Sequence, residues 1–129
     1  MTLKNGLNIK LTNLDTIAIM ESALNGGISY WCNRISPVGK LKGKSITEHL
    51  VNGGSLILHD GKCDTDEELT LNKFQNGLNQ FLSRVSMSLV MDKEGNHTIN
   101  TDFIKADDAD AIIQFALYGC TVFGNHDFF

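Results

Sequence analysis

The chain has few of the residues that mark secreted, membrane-spanning or DNA-binding proteins. Its 129 residues include only three cysteines, one proline and two arginines. An odd number of well-separated cysteines does not build a disulfide framework, and no Cys-x-x-Cys pair or zinc-like cluster occurs. No apolar stretch approaches the roughly 20 residues of a membrane span, and no apolar signal core follows Met1. These absences predict a cytoplasmic protein with free thiols.

Basic residues are also scarce. The net charge is −4, and the largest basic cluster is Lys40, Lys42 and Lys44. Proteins that bind duplex DNA normally present a broad basic face, so direct duplex binding is not expected. The cluster is typical of a solvated loop, although its position just before a predicted helix start at Ser45 also suits an anion site.

The composition that is present fits a folded domain. Hydrophobic residues make up 42% of the chain and charged residues 20%. A chain of this length buries enough surface to fold without disulfides or structural metals. We therefore predict one domain over residues 1–129, with no linker.

Glycines repeatedly separate helical patterns from strand-like ones. Helices are predicted to start near Asp15, Ser45, Leu71 and Asp107, and glycines stop three of them at Gly26–Gly27, Gly53–Gly54 and Gly119. Strands are predicted at residues 7–11, 55–59, 87–92 and 120–123, a strand or an extended segment at 97–103, and a strand or a helical turn at 28–32. A hairpin turn is predicted at 60–62, and it leads through an acidic loop to residues 68–71. The predicted fold is α+β, with three to four helices and an antiparallel sheet of about five to six short strands.

Two short motifs resemble parts of hydrolase active sites. Gly124-Asn125-His126-Asp127 is similar to a string in calcineurin-type metallophosphoesterases, but the upstream Asp-x-His and Gly-Asp-x-x-Asp of their two-metal site are missing. His59-Asp60 is similar to the pair of His-Asp phosphohydrolases, which place it on helices, whereas here it ends a predicted strand. With no complete constellation, we predict a protein that is not an enzyme and needs no metal or cofactor.

Two surfaces are candidates for binding a partner or ligand. The first is an acidic loop of Asp60, Asp64, Asp66, Glu67 and Glu68. Its order does not match a calcium loop, so it is either a solvated hairpin tip or a face for a basic partner. The second is the pair Tyr30–Trp31 after a double glycine, which either stacks on a base or partner or fills the core. With Arg34 and Lys44, this pair would line a nucleotide pocket.

Two further features have both a structural and a functional interpretation. Cys32, next to Trp31 and Arg34, is either a reactive thiol or a small core residue. Phe128 and Phe129 suggest docking on this domain or on a second copy of it, which predicts a homodimer.

Three strings of the sequence resemble one family. They are Gly26-Gly-Ile-Ser-Tyr-Trp-Cys-Asn-Arg34, Gly53-Gly-Ser-Leu-Ile-Leu-His-Asp60 and Asp107-Asp-Ala-Asp-Ala-Ile-Ile-Gln-Phe-Ala-Leu-Tyr-Gly119. Together they are similar to a group of small, mostly uncharacterised proteins of phages and conjugative elements of low-GC Gram-positive bacteria. The resemblance covers nearly the whole chain and carries no mechanism of its own.

The resemblance implies a context for the protein. Small accessory proteins of such elements often blunt host defences by binding, so the expectation is a counter-defence protein acting in the host bacterial cytoplasm. Its partner would be a nuclease effector, as for anti-CRISPR inhibitors, or a nucleotide signal that it sequesters. Two alternatives stay open: a small metal-dependent phosphohydrolase using His59, His126 and nearby carboxylates, and an accessory protein of the element with no defence role.

Overall fold

The computed structural model describes residues 1–124 and 126. Four α-helices and six short strands make up this part of the chain. The helices are α1 (Asn13–Ser22), α2 (Ile46–Val51), α3 (Leu71–Leu82) and α4 (Ala106–Tyr118). The strands are β1 (Ile9–Lys10), β2 (Cys32–Pro37), β3 (Leu56–Asp60), β4 (Thr65–Leu69), β5 (Leu89–Met91) and β6 (His97–Ile99).

The strands form two separate sheets of three strands each. One has the order β2-β3-β4 and is antiparallel throughout. The other has the order β1-β6-β5, and its β1–β6 pair is parallel. The α+β class and the predicted numbers of helices and strands are confirmed, but two small sheets stand where one antiparallel sheet was expected.

The segment 120–123 is not a strand, contrary to the prediction from its apolar and aromatic residues. The Gln114 side chain on α4 accepts hydrogen bonds from the backbone N–H groups of Val122 (2.6 Å) and Phe123 (2.8 Å). The Phe123 ring stacks on Trp31, with ring centres 5.4 Å apart. Contacts with a helix therefore satisfy backbone groups that a strand would pair within a sheet.

The predicted helix boundaries follow local chemistry. Thr12 and Asp15 form a capping box at the start of α1, and Ser45 caps α2. Gly119 ends α4 with φ of 74°, a left-handed conformation that glycine adopts at little steric cost. At the first of the three predicted stops, Gly26 has φ of 134° within a π-helical turn, Ala23–Gly27, that follows α1.

Helices α3 and α4 pack against each other at the centre of the core. The apolar stripe predicted for α3 is buried, and Phe74, Leu78 and Phe81 are each at most 1% exposed. Residues 109–115 of α4 are all buried, including the polar Asp110 and Gln114, so this helix is enclosed on every side through that stretch. Within the described residues, no helix has the combination of length and apolar character that crossing a membrane requires.

Candidate functional site

A buried carboxylate on α4 organises the chain around it. Asp110 is 1% exposed. Its Oδ1 accepts hydrogen bonds from Trp31 Nε1 at 2.7 Å and from Gln114 Nε2 at 2.9 Å. Its Oδ2 accepts from the Tyr30 hydroxyl at 2.6 Å and lies 2.7 Å from His126 Nε2. Because a buried carboxylate is tolerated only when it is well bonded, this cluster fixes the loop before β2 and the segment after α4 against α4.

A small cavity of about 220 Å³ opens beside this cluster and is lined by Tyr30, Asp107, Asp110, Gly124 and His126. Burial and the hydrogen bond to Asp110 raise the pKa of the Tyr30 hydroxyl, so it stays a neutral donor. Two carboxylates on the wall give the cavity an acidic character. That charge does not suit a phosphate group.

Trp31 lies beneath an aromatic layer rather than on the surface. It is 1% exposed, stacks on Phe123 and meets the edge of Tyr118 with ring centres 6.2 Å apart. In this structure its faces are therefore not available to stack on a base. Tyr30, by contrast, is 44% exposed, and Lys62 Nζ lies 5.6 Å from the centre of its ring.

A second buried carboxylate lies where β3 ends. Asp60 is 1% exposed and accepts hydrogen bonds from the backbone N–H groups of Lys62 (2.8 Å) and Cys63 (3.0 Å) and from the Tyr118 hydroxyl (3.2 Å). Burial alone would raise the pKa of Asp60, but these hydrogen bonds lower it below its ordinary value. Asp60 therefore shapes the turn and is not part of the exposed acidic surface that the sequence suggested.

The lowered pKa of Asp60 predicts sensitivity of the fold to acid. An unfolded Asp has a pKa of about 3.9. As the pH falls toward that value, Asp60 becomes protonated in the unfolded chain while it is still ionised in the folded chain, so the folded chain binds fewer protons at this site. The stabilisation is complete above about pH 5 and is lost as the pH falls through the folded-state pKa. Urea midpoints measured from pH 7 to pH 3 should fall for the parent, and less steeply for Asp60→Asn. An Asp102→Asn control should follow the parent, and an equal slope for all three would contradict the prediction.

The three strings that carry the family resemblance meet at these two carboxylates. Tyr30 and Trp31 come from the first string, Asp60 ends the second, and Asp110 and Tyr118 belong to the third. The Gly61 N–H also donates to the Trp31 carbonyl at 2.8 Å, which ties the β3–β4 turn to the first string. The strings therefore share one interior site in the fold.

The sheet of β2, β3 and β4 has one buried face and one open face. Leu56, Leu58 and Asp60 of β3 are buried, so Ile57 and His59 point to the other side. Cross-strand pairing places the following residues on this open face: Arg34, Ser36, Ile57, His59, Asp66 and Glu68.

The open face is acidic along the edge strand β4. The side chains of Asp64 and Asp66 are 92% and 60% exposed. Both contact His59, whose Nδ1 is 2.6 Å from Asp66 Oδ1 and whose Nε2 is 3.1 Å from Asp64 Oδ1. Glu68 lies on the same face and accepts a hydrogen bond from the Ser55 hydroxyl. Glu67 alternates to the opposite side, where its charge helps to raise the pKa of Tyr118 after burial and Asp60.

The lysine loop is a separate structure. The Lys42 N–H donates to Nδ1 of the buried His49 at 2.9 Å, and Asn52 Nδ2 donates to the Lys42 carbonyl at 2.8 Å. Lys44 is exposed next to the start of α2, and its backbone N–H donates to Glu48. The proposed set of Tyr30, Trp31, Arg34 and Lys44 is thus divided among a buried cluster, the open sheet face and this loop.

The remaining sequence candidates have different outcomes. Cys32 is buried, and burial raises the pKa of its thiol, which opposes formation of the reactive thiolate. In the string from Gly124 to Asp127, His126 contacts Asp110, while Asn125 and Asp127 lie outside the described residues. Phe128 and Phe129 also lie outside them. Within the described part of the chain, no group of three or more His, Cys, Asp or Glu residues is placed to hold a metal ion.

Asp110, Gln114 and Tyr118 are functional-site residues that were not predicted from the sequence. One signal was present, since Asp110 and Gln114 are four residues apart and so share one side of a predicted helix. Their partners lie about 80 residues earlier in the chain and in the segment after α4. Helical periodicity alone carries no information on such distant contacts.

Comparison with known proteins gave no matching family model, no matching curated protein and no matching solved structure.

Proposed function

We propose that this protein is a non-enzymatic binding protein that covers a basic surface of a host defence protein with the acidic open face of its β2-β3-β4 sheet. The defence protein would be a nucleic-acid-binding effector, and the inhibitor would act in the cytoplasm of a bacterial host. The phage or mobile-element context rests on the family resemblance of the three strings.

The observation that carries the proposal is the exposure of carboxylates along one open sheet edge. Asp64, Asp66 and Glu68 are exposed on or beside β4, and among residues 1–124 and 126 this strand pairs with β3 alone. Channels that hold nucleic acid are basic, and charge complementarity speeds the encounter of two proteins and fixes their orientation. An acidic face on a rigid sheet is therefore suited to compete with nucleic acid for such a channel.

The structure gives less support to the nucleotide-sequestering mechanism. That mechanism needs an exposed aromatic face next to cationic or N–H donors. Trp31 is buried, and the cavity beside Tyr30 is lined by Asp107 and Asp110. A nucleotide phosphate would meet negative charge there, so we favour a protein partner.

Co-purification from a bacterial host tests the proposal. The tagged protein is expressed beside candidate defence systems, and the purified material is analysed for protein, nucleotide and metal. Recovery of a stoichiometric effector whose nuclease activity is inhibited would support the proposal. Recovery of a nucleotide alone, intact defence with no associated protein, or stoichiometric metal with an activity lost on chelation would each overturn it.

Neutralising the acidic face should weaken the complex. The triple variant Asp64→Asn, Asp66→Asn, Glu68→Gln removes three negative charges, and we expect at least about tenfold weaker binding with a smaller salt dependence. Binding is measured by surface plasmon resonance at two salt concentrations. The matched control, Glu21→Gln, Glu94→Gln, Asp102→Asn, removes three exposed charges elsewhere.

Equal weakening by both triple variants would show that net charge, and not this face, governs binding. Charged residues on an open strand also discourage pairing between copies of a protein. Each variant is therefore checked by gel filtration before binding is measured, so that self-association is not mistaken for loss of the partner.

A further inference from the structure

His59 occupies the centre of the open sheet face and is held on both sides of its ring. Its Nδ1 lies 2.6 Å from Asp66 on β4, and its Nε2 lies 3.1 Å from Asp64 in the β3–β4 turn. On the other side of β3, Arg34 of β2 is its cross-strand neighbour. Glu68 lies two residues beyond Asp66 on the same face.

The two carboxylate contacts require more protons than a neutral imidazole carries. A neutral ring has one N–H and one lone pair, and a lone pair directed at a carboxylate is repelled by it. Both contacts can be hydrogen bonds only when the ring is doubly protonated or when one carboxyl group holds a proton. In either case, the three side chains are held together by one additional proton, which the neutral ring does not supply.

A second histidine in the same chain shows the contrast. His49 Nδ1 accepts the Lys42 N–H, and its Nε2 is 3.0 Å from the Ser55 carbonyl oxygen. One acceptor and one donor nitrogen describe a neutral ring. The partners of His49 therefore fit a ring that carries one proton, whereas the two carboxylates around His59 need one proton more than a neutral ring supplies.

The backbone of the turn adds an independent observation. Asp64 has φ of 55° and is the one non-glycine residue with positive φ in the described part of the chain. The left-handed region is less favourable for a residue with a side chain, although Asp tolerates it better than most. The contact with His59 helps to hold Asp64 in this conformation.

We propose that His59 is a proton-dependent latch that ties the β3–β4 turn to the sheet. With the additional proton in place, Asp64 and Asp66 are bridged through the ring. When that proton is lost, the contact with Asp64 opens first, because it is the longer of the two and its side chain is almost fully exposed. The turn then relaxes, and the open face gains one unit of negative charge.

The latch is a property of the free protein, and only its effect on binding rests on the proposed function. If the acidic face binds a basic partner, opening the latch makes that face more negative. Binding should then strengthen as the pH rises and the additional proton is lost. The latch itself is tested without any partner, so its failure and the failure of the proposed function are distinguishable.

Solution NMR of the ¹⁵N-labelled free protein between pH 5 and pH 8.5 tests the latch. The two ring nitrogens of His59 report its protonation, and the amide of Asp64 reports the conformation of the turn. We expect both signals to change in the same pH step. His97, a half-buried histidine in the other sheet, serves as an internal reference. The amide signal of Asp64 should not change together with the ring signals of His97.

Two variants separate the latch from a general pH effect. In His59→Gln the step in the Asp64 amide should disappear. In Asp64→Asn the step in the amide of residue 64 should shrink, because the side chain no longer carries the charge that holds it to the protonated ring. A step of parental size in either variant would overturn the proposal.

Discussion

Replacing Asp110 with alanine is expected to lower the free energy of unfolding by about 3–5 kcal/mol, the largest effect of any single substitution considered for this chain. The reason is the number of partners that lose their acceptor. Trp31 Nε1, the Tyr30 hydroxyl, Gln114 Nε2 and His126 Nε2 all contact this carboxylate. A buried donor left without an acceptor costs about 1–3 kcal/mol.

Urea unfolding followed by the fluorescence of Trp31, the only tryptophan, measures this effect directly. The matched control is Asp107→Ala, which removes an exposed aspartate from the first turn of the same helix and should change stability by at most about 0.5 kcal/mol. Asp110→Asn keeps the side-chain volume and one oxygen acceptor, so it should fall between the two. Its amide nitrogen, however, faces donors where the carboxylate presented an acceptor.

A loss below about 1 kcal/mol in Asp110→Ala would contradict the central role of this carboxylate. In that case the loop before β2 and the segment after α4 would be held mainly by the aromatic contacts of Trp31 and Phe123. The double variant with Phe123→Ala separates the two contributions. Effects that add simply would indicate independent contacts, whereas a coupled loss would indicate one cooperative cluster.

The sequence predicted the parts of the fold that depend on local rules. The stripe of Phe74, Leu78 and Phe81 is buried as its period indicated, and Gly119 ends α4 in the left-handed conformation. These features depend on residues within a few positions of each other, so their spacing is enough to predict them.

The candidate site was harder to predict because its contacts are distant in sequence. Asp60 is an exception, because its alternation with Leu56 and Leu58 along the strand already indicates the buried face of β3. Asp110 lies within a helix that is buried through residues 109–115. Which of its sides meets Trp31 depends on how the loop before β2 packs, and the helical period does not contain that information.

Tyr30 and Trp31 show the same limit, because the sequence predicts one aromatic pair while the structure separates the two side chains. Adjacent residues in a turn point in different directions, so Tyr30 is 44% exposed while Trp31 is 1% exposed. Both nonetheless donate to Asp110. Their proximity in sequence indicated a shared location but not their different accessibilities.

Gly77→Ala is the second substitution with a large expected effect, and helix propensity alone would give it the wrong sign. Alanine is about 1 kcal/mol more favourable than glycine within a helix. Here, however, an added Cβ would lie 2.5 Å from the Ile112 carbonyl oxygen and 2.6 Å from the Ala116 backbone nitrogen on α4. Both are backbone atoms, so the helices would have to separate. Overpacking a core costs about 1–3 kcal/mol, and two backbone clashes place this change at the upper end of that range. After the gain of about 1 kcal/mol in helix propensity is subtracted, we expect a net loss of about 2 kcal/mol.

Asn76→Ala is the matched control for this prediction, because it makes an alanine at the neighbouring, exposed position of the same helix. It should stabilise the protein by about 0.5 kcal/mol, as propensity predicts. The urea midpoints of both variants are compared with that of the parent protein. A higher midpoint for Gly77→Ala would show that α3 and α4 are not in close contact in solution. Adding Ala116→Gly removes a Cβ that would lie 2.8 Å from the new one. Because the backbone atoms of Ile112 and Ala116 stay in place, this second change should restore only part of the lost stability.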